Sequence, residues 1–313
     1  MRLSGLCFAF VGWLLLLVAG PASAADWRHE VPVLRIGFVA GDNVRRAREV
    51  IEPFRRHLSL ELAIPVEVVP ARDVAMLIDA QTSARIDYAI YGASAFAAAN
   101  AACRCLDPLV VPKALDGATG YHSILVTATR SGLRTLADLK GRTVVTPGRR
   151  STSGYLVPLM ELGRDGIALD DYFAQTEVAD GPDAALRTVL LGTADAAFVW
   201  SSLKGDRAKG YSRGTLSRLV ADGTMTMDEV AIIWQSHLIP HGPHALRRGL
   251  PPELKTLLVK ILTRLKDADL QAYDAVERRF GGGFVAADPA AFKALTDAFT
   301  VESRSAPVVR PGG

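Results

Sequence analysis

A strand-to-helix junction organises this sequence, and it reads Ser151-Thr152-Ser153-Gly154-Tyr155-Leu156-Val157-Pro158. The β-branched run at 142–146 comes before it and breaks at Pro147-Gly148, which predicts a strand followed by a turn. Within and after it, Leu156, Leu159 and Met160 recur at helical spacing. The three hydroxyl residues are therefore predicted to lie where a helix begins.

The chemistry of such a junction suits an anion. The first N–H groups of a helix have no partner within the helix, and the helix dipole is positive there. Hydroxyl groups beside those N–H groups form a donor-rich site for a tetrahedral oxyanion. A simpler interpretation is a helix N-cap, for which one Ser or Thr is enough. The residues alone leave both interpretations open.

The N-terminus predicts export. Arg2 is followed by an apolar run at 6–19 and by the small-residue site Ala22-Ser23-Ala24, which is typical of a secretory signal peptide over residues 1–24. The run is too short to span a membrane, and Cys7 is not placed as a lipid-anchored cysteine. We expect a soluble periplasmic protein that begins near Ala25.

Composition limits the function classes. The 313 residues are 49% hydrophobic and 22% charged, as in ordinary globular proteins, and the length suggests two domains. Residues 1–24 contain one Arg and no acid, so the 36 basic and 33 acidic residues become 35 and 33, a net charge of +2. No basic tract is present, so the sequence gives no support to nucleic-acid binding.

The mature chain keeps two cysteines, Cys103 and Cys105. In an oxidising compartment this pair can close a local disulfide, but the spacing is strained and a helix would point the two thiols apart. The sequence leaves the pairing open.

Apolar periodicity predicts an alternation of strands and helices. Strands are expected at 33–39, 65–69, 86–91, 109–111 (ending at Pro112), 123–127, 143–146, 176–178, 195–199, 219–220 and 230–234. Helices are expected at 44–60 (kinked or restarted at Pro53), 71–80, from 92, after Ser153, at 183–191, from Ser201, at 251–265 and at 289–299. This alternation favours an α/β fold with two lobes in series, each a parallel sheet covered by helices.

The junction resembles the STSGY-L-x-P segment of the phosphate-, phosphite- and phosphonate-binding proteins of ABC importers. Further fragments match in order over residues 33–300, namely Leu34-Arg35-Ile36-Gly37, Tyr121-His122-Ser123, the segment 136–141, Asp183-Ala184-Ala185-Leu186, Ala194-Asp195-Ala196-Ala197, Ile233-Trp234-x-Ser236, Ile239-Pro240 and Leu250-Pro251-Pro252-Glu253-Leu254. The resemblance implies a type II periplasmic binding fold with two lobes, each a mostly parallel sheet flanked by helices, joined by two crossover hinge strands. Lobe one would comprise 31–117 plus 236–300, lobe two 118–235, and 301–313 a flexible tail.

The resemblance also implies a function. The chain would capture a small oxyanion (phosphonate, phosphite or phosphate) between the lobes and deliver it to an ABC transporter permease, as a monomer, without catalysis, cofactor or metal. The family's binding positions fall on Ser151, Thr152 and Ser153, with Tyr91 and Ser94 facing them, and His241 could donate to the anion. A related possibility is an anion sensor that works without transport.

Three positions depart from the family pattern. Pro182 stands where members often carry a His, and Gly242 stands where they often carry an Asp. The segment around Trp200 has no carboxylate that could hold a ligand amine. The resemblance therefore argues against an aminoalkylphosphonate as ligand.

Two other function classes have weaker motifs. Ser201-Ser202-Leu203-Lys204 fits S-x-x-K, but the companion S-D-N and K-T-G segments are missing, and Gly210-Tyr211-Ser212-Arg213-Gly214 fits G-x-S-x-G after a charged run rather than a buried strand. Both are typical of chance matches. His237, His241 and His244 could bind zinc or copper, although Pro240 and Pro243 favour a loop with exposed histidines.

The signal peptide generates the first prediction. Cleavage after Ala24 should give a secreted protein whose N-terminal sequence begins at Ala25. N-terminal sequencing of the periplasmic fraction measures this directly. A mature protein that keeps Leu14–Val18 and sediments with membranes would contradict it.

Overall fold

The computed structural model describes residues 26–305 of the chain. The predicted signal peptide and residues 306–313 of the predicted tail lie outside this range. Within the described range, no helix is both long enough and apolar enough to cross a membrane.

The strands and helices follow one another along the chain as the alternation predicts. The strands are β1 Leu34–Val39, β2 Val66–Ala71, β3 Tyr88–Ile90, β4 Leu106–Ala114, β5 Gly120–Ala128, β6 Thr143–Thr146, β7 Gln175–Val178, β8 Ala196–Ser201, β9 Val230–Gln235, β10 Ile239–Pro240, β11 His244–Arg247 and β12 Gly281–Ala286. The α-helices are α1 Val44–Leu62, α2 Val74–Thr82, α3 Ala93–Cys103, α4 Val157–Arg164, α5 Leu169–Tyr172, α6 Gly181–Leu191, α7 Thr215–Ala221, α8 Pro252–Ala268, α9 Leu270–Glu277 and α10 Lys293–Ser305.

These strands form two sheets. The first has the order β2-β1-β3-β11-β4-β12, and the second has the order β7-β6-β8-β5-β10, with β9 also paired to β5. In each sheet three neighbouring strands run parallel, β2-β1-β3 and β7-β6-β8, and the remaining pairs are antiparallel. The predicted two-sheet α/β fold is confirmed, and its mostly parallel character holds for the strand–helix repeats but not for the strands next to the crossovers.

The chain crosses between the sheets twice. It leaves the first sheet after β4 to enter β5, and it returns from β9 through β10 to β11. The two crossings lie side by side, because Ile239 pairs with Tyr121 and Pro240 pairs with Gly120. The proposed lobe boundaries at 117/118 and 235/236 fall in these two connections.

Three element predictions are wrong. No helix starts at Ser201, which ends β8 opposite His122 of β5. Residues 219–220 lie in α7 rather than in a strand, because Leu216 and Leu219 are fully buried and a spacing of three puts them on one helix face. Strand β4 continues past Pro112, which lies opposite Phe284 next to an irregularity in the register, where a proline is tolerated.

Two helices also extend beyond their predicted limits. Helix α1 does not restart at Pro53, because Ile51, Phe54 and Leu58 recur at helical spacing and bury one continuous face in the core of the first lobe. Helix α10 continues to Ser305, so residues 301–305 of the predicted flexible tail are helical.

Cys103 ends α3 and forms a disulfide with Cys105. The structure thereby decides the pairing that the sequence left open.

The junction that organises the sequence is a helix start with a widened first turn. One π-helical turn, Thr152–Leu156, leads directly into α4. Ser151 caps it: its Oγ accepts a hydrogen bond from the Gly154 N–H at 3.0 Å, and its carbonyl accepts from Tyr155 and Leu156. The predicted N-cap is therefore present, and it uses only the first of the three hydroxyls.

Gly154 generates a stability prediction. A Cβ at this position would lie 2.1 Å from Cγ of Pro147. This atom belongs to a closed ring, which cannot swing away as the end of a flexible side chain can. We expect Gly154→Ala to cost about 1–3 kcal/mol of unfolding free energy through overpacking. Urea unfolding followed by circular dichroism measures the loss.

The matched control is Gly163→Ala in α4, where a Cβ would meet nothing within 4 Å. Because alanine favours a helix interior over glycine, this change should be neutral or stabilise by up to about 1 kcal/mol. Equal unfolding midpoints for the two variants would contradict the account of Gly154.

Candidate anion-binding site

A cavity of about 440 Å³ lies between the two sheets. Its wall comes from both sheets, from the crossings and from the loop before β12. The lining residues are Gly92, Ala93, Ser94, Tyr121, Ser151, Thr152, Ser153, Pro182, Trp200, Arg213, His241, Gly242, Arg279 and Phe280. None of these is an Asp or a Glu, so the wall is rich in hydrogen-bond donors and positive charge.

The hydroxyl segment forms one side of the cavity. Ser151, Thr152 and Ser153 all line it, and the backbone N–H groups of Thr152 and Ser153 donate to no described residue. The Ser153 carbonyl is held by the buried Ser123 hydroxyl, which fixes the backbone of the segment. The free N–H groups therefore sit at the start of a helix beside three hydroxyls, as an oxyanion site requires.

A second helix start faces the same cavity. Helix α3 begins at Ala93 after Gly92 and has no side-chain cap. The N–H groups of Ala93 and Ser94 donate to no described residue, and both residues line the cavity. Ser94 and the hydroxyl segment therefore line the same cavity, although the two lie 57 or more positions apart.

Tyr91 is not brought to the cavity wall. Its side chain is only 4% exposed and packs against Phe96, with ring centroids 6.4 Å apart. Its hydroxyl is buried without a hydrogen-bond partner among the described residues, and burial raises its pKa well above the usual value. Tyr91 therefore supports the wall from behind in this conformation, while Tyr121 presents an aromatic ring to the cavity.

Tyr121 joins the hydroxyl segment to the hinge. It is the second residue of β5, at the crossing between the sheets. Its ring stacks on that of His241, with centroids 6.2 Å apart, and meets the Trp200 ring edge-on, with centroids 5.5 Å apart. Burial raises the pKa of the Tyr121 hydroxyl, while a hydrogen bond with the Thr152 side chain and the charge of Arg279 oppose that rise. The phenol is therefore protonated at neutral pH beside the hydroxyl segment.

His241 lines the cavity as a neutral ring. Its Nδ1 lies 2.8 Å from the Pro112 carbonyl, which can only accept, so Nδ1 carries the proton. Burial lowers its pKa to about 4, the bond to Pro112 opposes this, Arg213 and Arg279 lower it further, and Glu277 raises it. At pH 7, Nε2 therefore carries a lone pair, and no described residue is bonded to it.

Sequence reasoning missed two arginines, Arg213 and Arg279, which line the cavity from opposite lobes. Arg213 lies in the loop before α7, and Arg279 lies between α9 and β12. Both flank Phe280, with guanidinium carbons 4.8 and 4.7 Å from the ring centroid. Their sequence surroundings are a polar loop and a charged helix end, which carry no signal that would separate them from surface charges.

The three positions that depart from the family pattern all lie on the cavity wall. Pro182, Trp200 and Gly242 line it, so the missing His and carboxylates are missing from the site itself. A Cβ at Gly242 would lie 2.0 Å from the Tyr91 carbonyl oxygen. An acid at this position would therefore require the backbone to move.

The other candidate sites do not assemble. The side chain of His237 is 94% exposed beside Glu161, His241 bonds Pro112, and His244 is buried between Tyr88 and Glu277. Within residues 26–305, no group of three His, Cys, Asp or Glu side chains could hold a metal ion. The predicted alternative of a site built from the three histidines is therefore wrong.

The serine motifs do not form a hydrolase site. Ser201 is fully buried, and its Oγ accepts from the Leu203 N–H. Ser212 lies in a loop after a short turn at 207–209, where its hydroxyl bonds Asp116 and lies 2.9 Å from the Ser202 hydroxyl. No histidine is bonded to either serine among the described residues, so neither has a general base.

Comparisons with known proteins identify a family that the chain matches over most of its length. A family model for the periplasmic substrate-binding protein of phosphonate ABC transporters matches residues 36–292. The chain is 24% identical to the phosphate-import protein PhnD of Mycolicibacterium smegmatis over 251 residues, which cover 77% of this chain and 74% of that protein. It is 26% identical to the phosphonates-binding periplasmic protein of Escherichia coli over 239 residues, or 74% and 66% of the two chains.

The fold has solved counterparts. XAC2383 from Xanthomonas citri, solved with ATP bound, superposes with a TM-score of 0.62 at 20% identity, over 87% of this chain and 98% of that one. At this identity the likeness concerns the fold. The family model, in contrast, covers most of the chain and includes the hydroxyl segment, both crossings and the arginines. The chain therefore belongs to the family of periplasmic substrate-binding proteins of phosphonate ABC transporters.

Proposed function

We propose that the chain binds a small phosphorus oxyanion (a phosphonate, phosphite or phosphate) in the cavity between its lobes and delivers it to an ABC transporter permease. In this role it is an exported, monomeric binding protein without catalytic activity. One observation carries the proposal: two helix starts with free N–H groups and three hydroxyls face one cavity whose wall holds two arginines and no carboxylate.

The hydroxyl segment would bind the phosphoryl oxygens. Thr152 and Ser153 combine free N–H groups with hydroxyls that take no part in capping the helix. A charge-assisted hydrogen bond to an oxyanion contributes about 1.5–3 kcal/mol. Ser94 at the second helix start would approach the anion from the opposite lobe.

His241 would accept rather than donate. With Nδ1 bonded to Pro112 and the ring neutral, Nε2 is suited to a P–OH group of a singly protonated phosphonate or phosphate. This replaces the donor role expected from the sequence. It also supports an acid phosphorus ligand over sulfate, which carries no proton at neutral pH.

A ligand panel tests the function. A thermal-shift screen with phosphate, phosphite, methylphosphonate, aminoethylphosphonate and sulfate should raise the melting temperature with at least one phosphorus oxyanion, because a ligand that binds only the native state stabilises it. At a concentration of 100 Kd the gain is about 2.7 kcal/mol. No shift with any phosphorus compound would refute the proposal.

The double change Thr152→Ala, Ser153→Ala tests the site. We expect affinity for the best ligand to fall about a hundredfold or more, because two charge-assisted hydrogen bonds are lost. Stability should fall little, since Ser151 keeps the cap. Calorimetry and denaturant unfolding on the same sample measure both quantities.

Thr256→Ala is the control, because its hydroxyl bonds the Pro252 carbonyl within α8 and does not line the cavity. It should leave the affinity unchanged. Unchanged affinity in the double variant together with a loss of stability would reduce the segment to a helix cap.

His241 generates a pH prediction. Its pKa is about 4 in the folded protein against about 6.5 unfolded, so the unfolded state binds more protons between these values and stability falls as pH falls. Between pH 7 and pH 5 this group should remove about 2 kcal/mol. His241→Asn keeps a donor for the Pro112 carbonyl and does not titrate. Between pH 7 and pH 5, the unfolding free energy of this variant should therefore fall by about 2 kcal/mol less than that of the unaltered protein. Parallel pH profiles for the two proteins would contradict the neutral ring.

A further inference from the structure

The arginines that flank Phe280 are a feature that a simple oxyanion does not explain. Arg213 comes from the second lobe and Arg279 from the first, yet both guanidinium groups lie within 5 Å of the same ring. Such stacking fixes guanidinium planes through attraction to the ring face. Two like charges are therefore held against one ring of the cavity wall.

These charges are poorly compensated by the protein. Among the described residues, the Arg213 guanidinium forms no salt bridge, and its Nη1 is buried without a hydrogen-bond partner. Asp116 lies nearby but accepts from the Ser212 hydroxyl. Among the described residues, Arg279 has one carboxylate contact, at 3.8 Å to Glu277, which His244 also approaches, and its own side chain is largely exposed to water.

A buried and unpaired donor on a charged group is costly unless a ligand supplies the acceptor. Burial lowers the pKa of Arg213, the charge of Arg279 lowers it further, and Asp116 opposes both. A guanidinium nevertheless stays charged in proteins. The missing partner of the buried Arg213 Nη1 group is therefore a hydrogen-bond acceptor, which an anion supplies together with the opposite charge.

The pair and the hydroxyl segment line the same cavity. A row of three rings separates them: Tyr121 beside Thr152, then His241 stacked on Tyr121 at 6.2 Å, then Phe280 at 4.3 Å from His241. A ligand that contacts both the hydroxyl segment and the arginines has to run along this row, as a molecule with an anionic group at each end can do. The cavity of about 440 Å³ leaves room for a longer ligand.

We propose that Arg213 and Arg279 form a second anion subsite, and that the ligand is an organophosphorus compound with two anionic groups. One phosphoryl group occupies the hydroxyl segment, and a carboxylate or second phosphoryl group lies against the arginines. The planar guanidinium groups can bind either group through paired hydrogen bonds. The inference rests on the proposed function, because it takes the first group to be a phosphoryl.

Calorimetry with matched ligands tests the subsite. Phosphonoacetate should bind at least tenfold tighter than methylphosphonate, and pyrophosphate at least tenfold tighter than phosphate, at constant ionic strength. The stronger of the two preferences identifies the second group as a carboxylate or a phosphoryl. Aminoethylphosphonate should be the weakest phosphonate, because its ammonium group would lie against two arginines. Equal affinities within each pair would overturn the proposal.

The variant Arg213→Gln, Arg279→Gln tests the residues. It should weaken phosphonoacetate or pyrophosphate binding at least tenfold more than it weakens methylphosphonate or phosphate binding, because the simple anions lose only the long-range attraction of the two charges. The control is Arg278→Gln, whose side chain is 81% exposed and pairs with Asp274, and which should change neither. If the double variant does not fold, Arg279→Gln alone, with a side chain that is 72% exposed, gives the same comparison.

The outcomes separate the two proposals. An equal loss of both ligand classes means that the arginines bind the same single anion, which refutes the second subsite and leaves the proposed function intact. Binding of neither class by the unaltered protein refutes the proposed function itself. A loss confined to the ligands with two anionic groups supports both.

Discussion

The site depends on the pairing of the two crossings between the lobes. Ile239 and Pro240 lie against Tyr121 and Gly120, and the His241 N–H donates to the Thr119 carbonyl at 2.8 Å. This pairing sets His241 one residue beyond β10, where its ring stacks on that of Tyr121 in β5. The same arrangement brings helix starts from both lobes to one cavity. Movement of the lobes about these crossings would change the distance between the hydroxyl segment and Ser94 while it preserved each half of the site.

The electrostatics of the cavity follow from what its wall lacks. Protein cavities that hold an ammonium group supply a carboxylate for it, since an unpaired buried charge is expensive. Here Pro182, Trp200 and Gly242 occupy the positions where relatives can carry a His or an acid, and arginines stand on the same wall. A wall without carboxylates is thus combined with two positive charges. Both features favour ligands of greater negative charge.

His241 illustrates how burial decides a role that residue type leaves open. A histidine beside an anion is expected to donate, since protonation and anion binding reinforce each other. In this fold Nδ1 is taken by the Pro112 carbonyl, and burial opposes a second proton. Arg213 and Arg279 add to that opposition. The ring therefore offers a lone pair where the arginines supply the positive charge.

The sequence by itself determined the features that depend on neighbouring residues. The alternation of strands and helices, the helix start at Ser151–Ser153 and the start of α3 beside Ser94 follow from local periodicity and turn residues. Only the tertiary structure decided that Tyr91 lies behind the wall, that Cys103 and Cys105 pair, and that Arg213 and Arg279 meet at Phe280. The two arginines are separated by 66 positions and come from different lobes, so no local pattern records their approach. Their meeting results from the paired crossings and the packing of both lobes, which are properties of the whole chain.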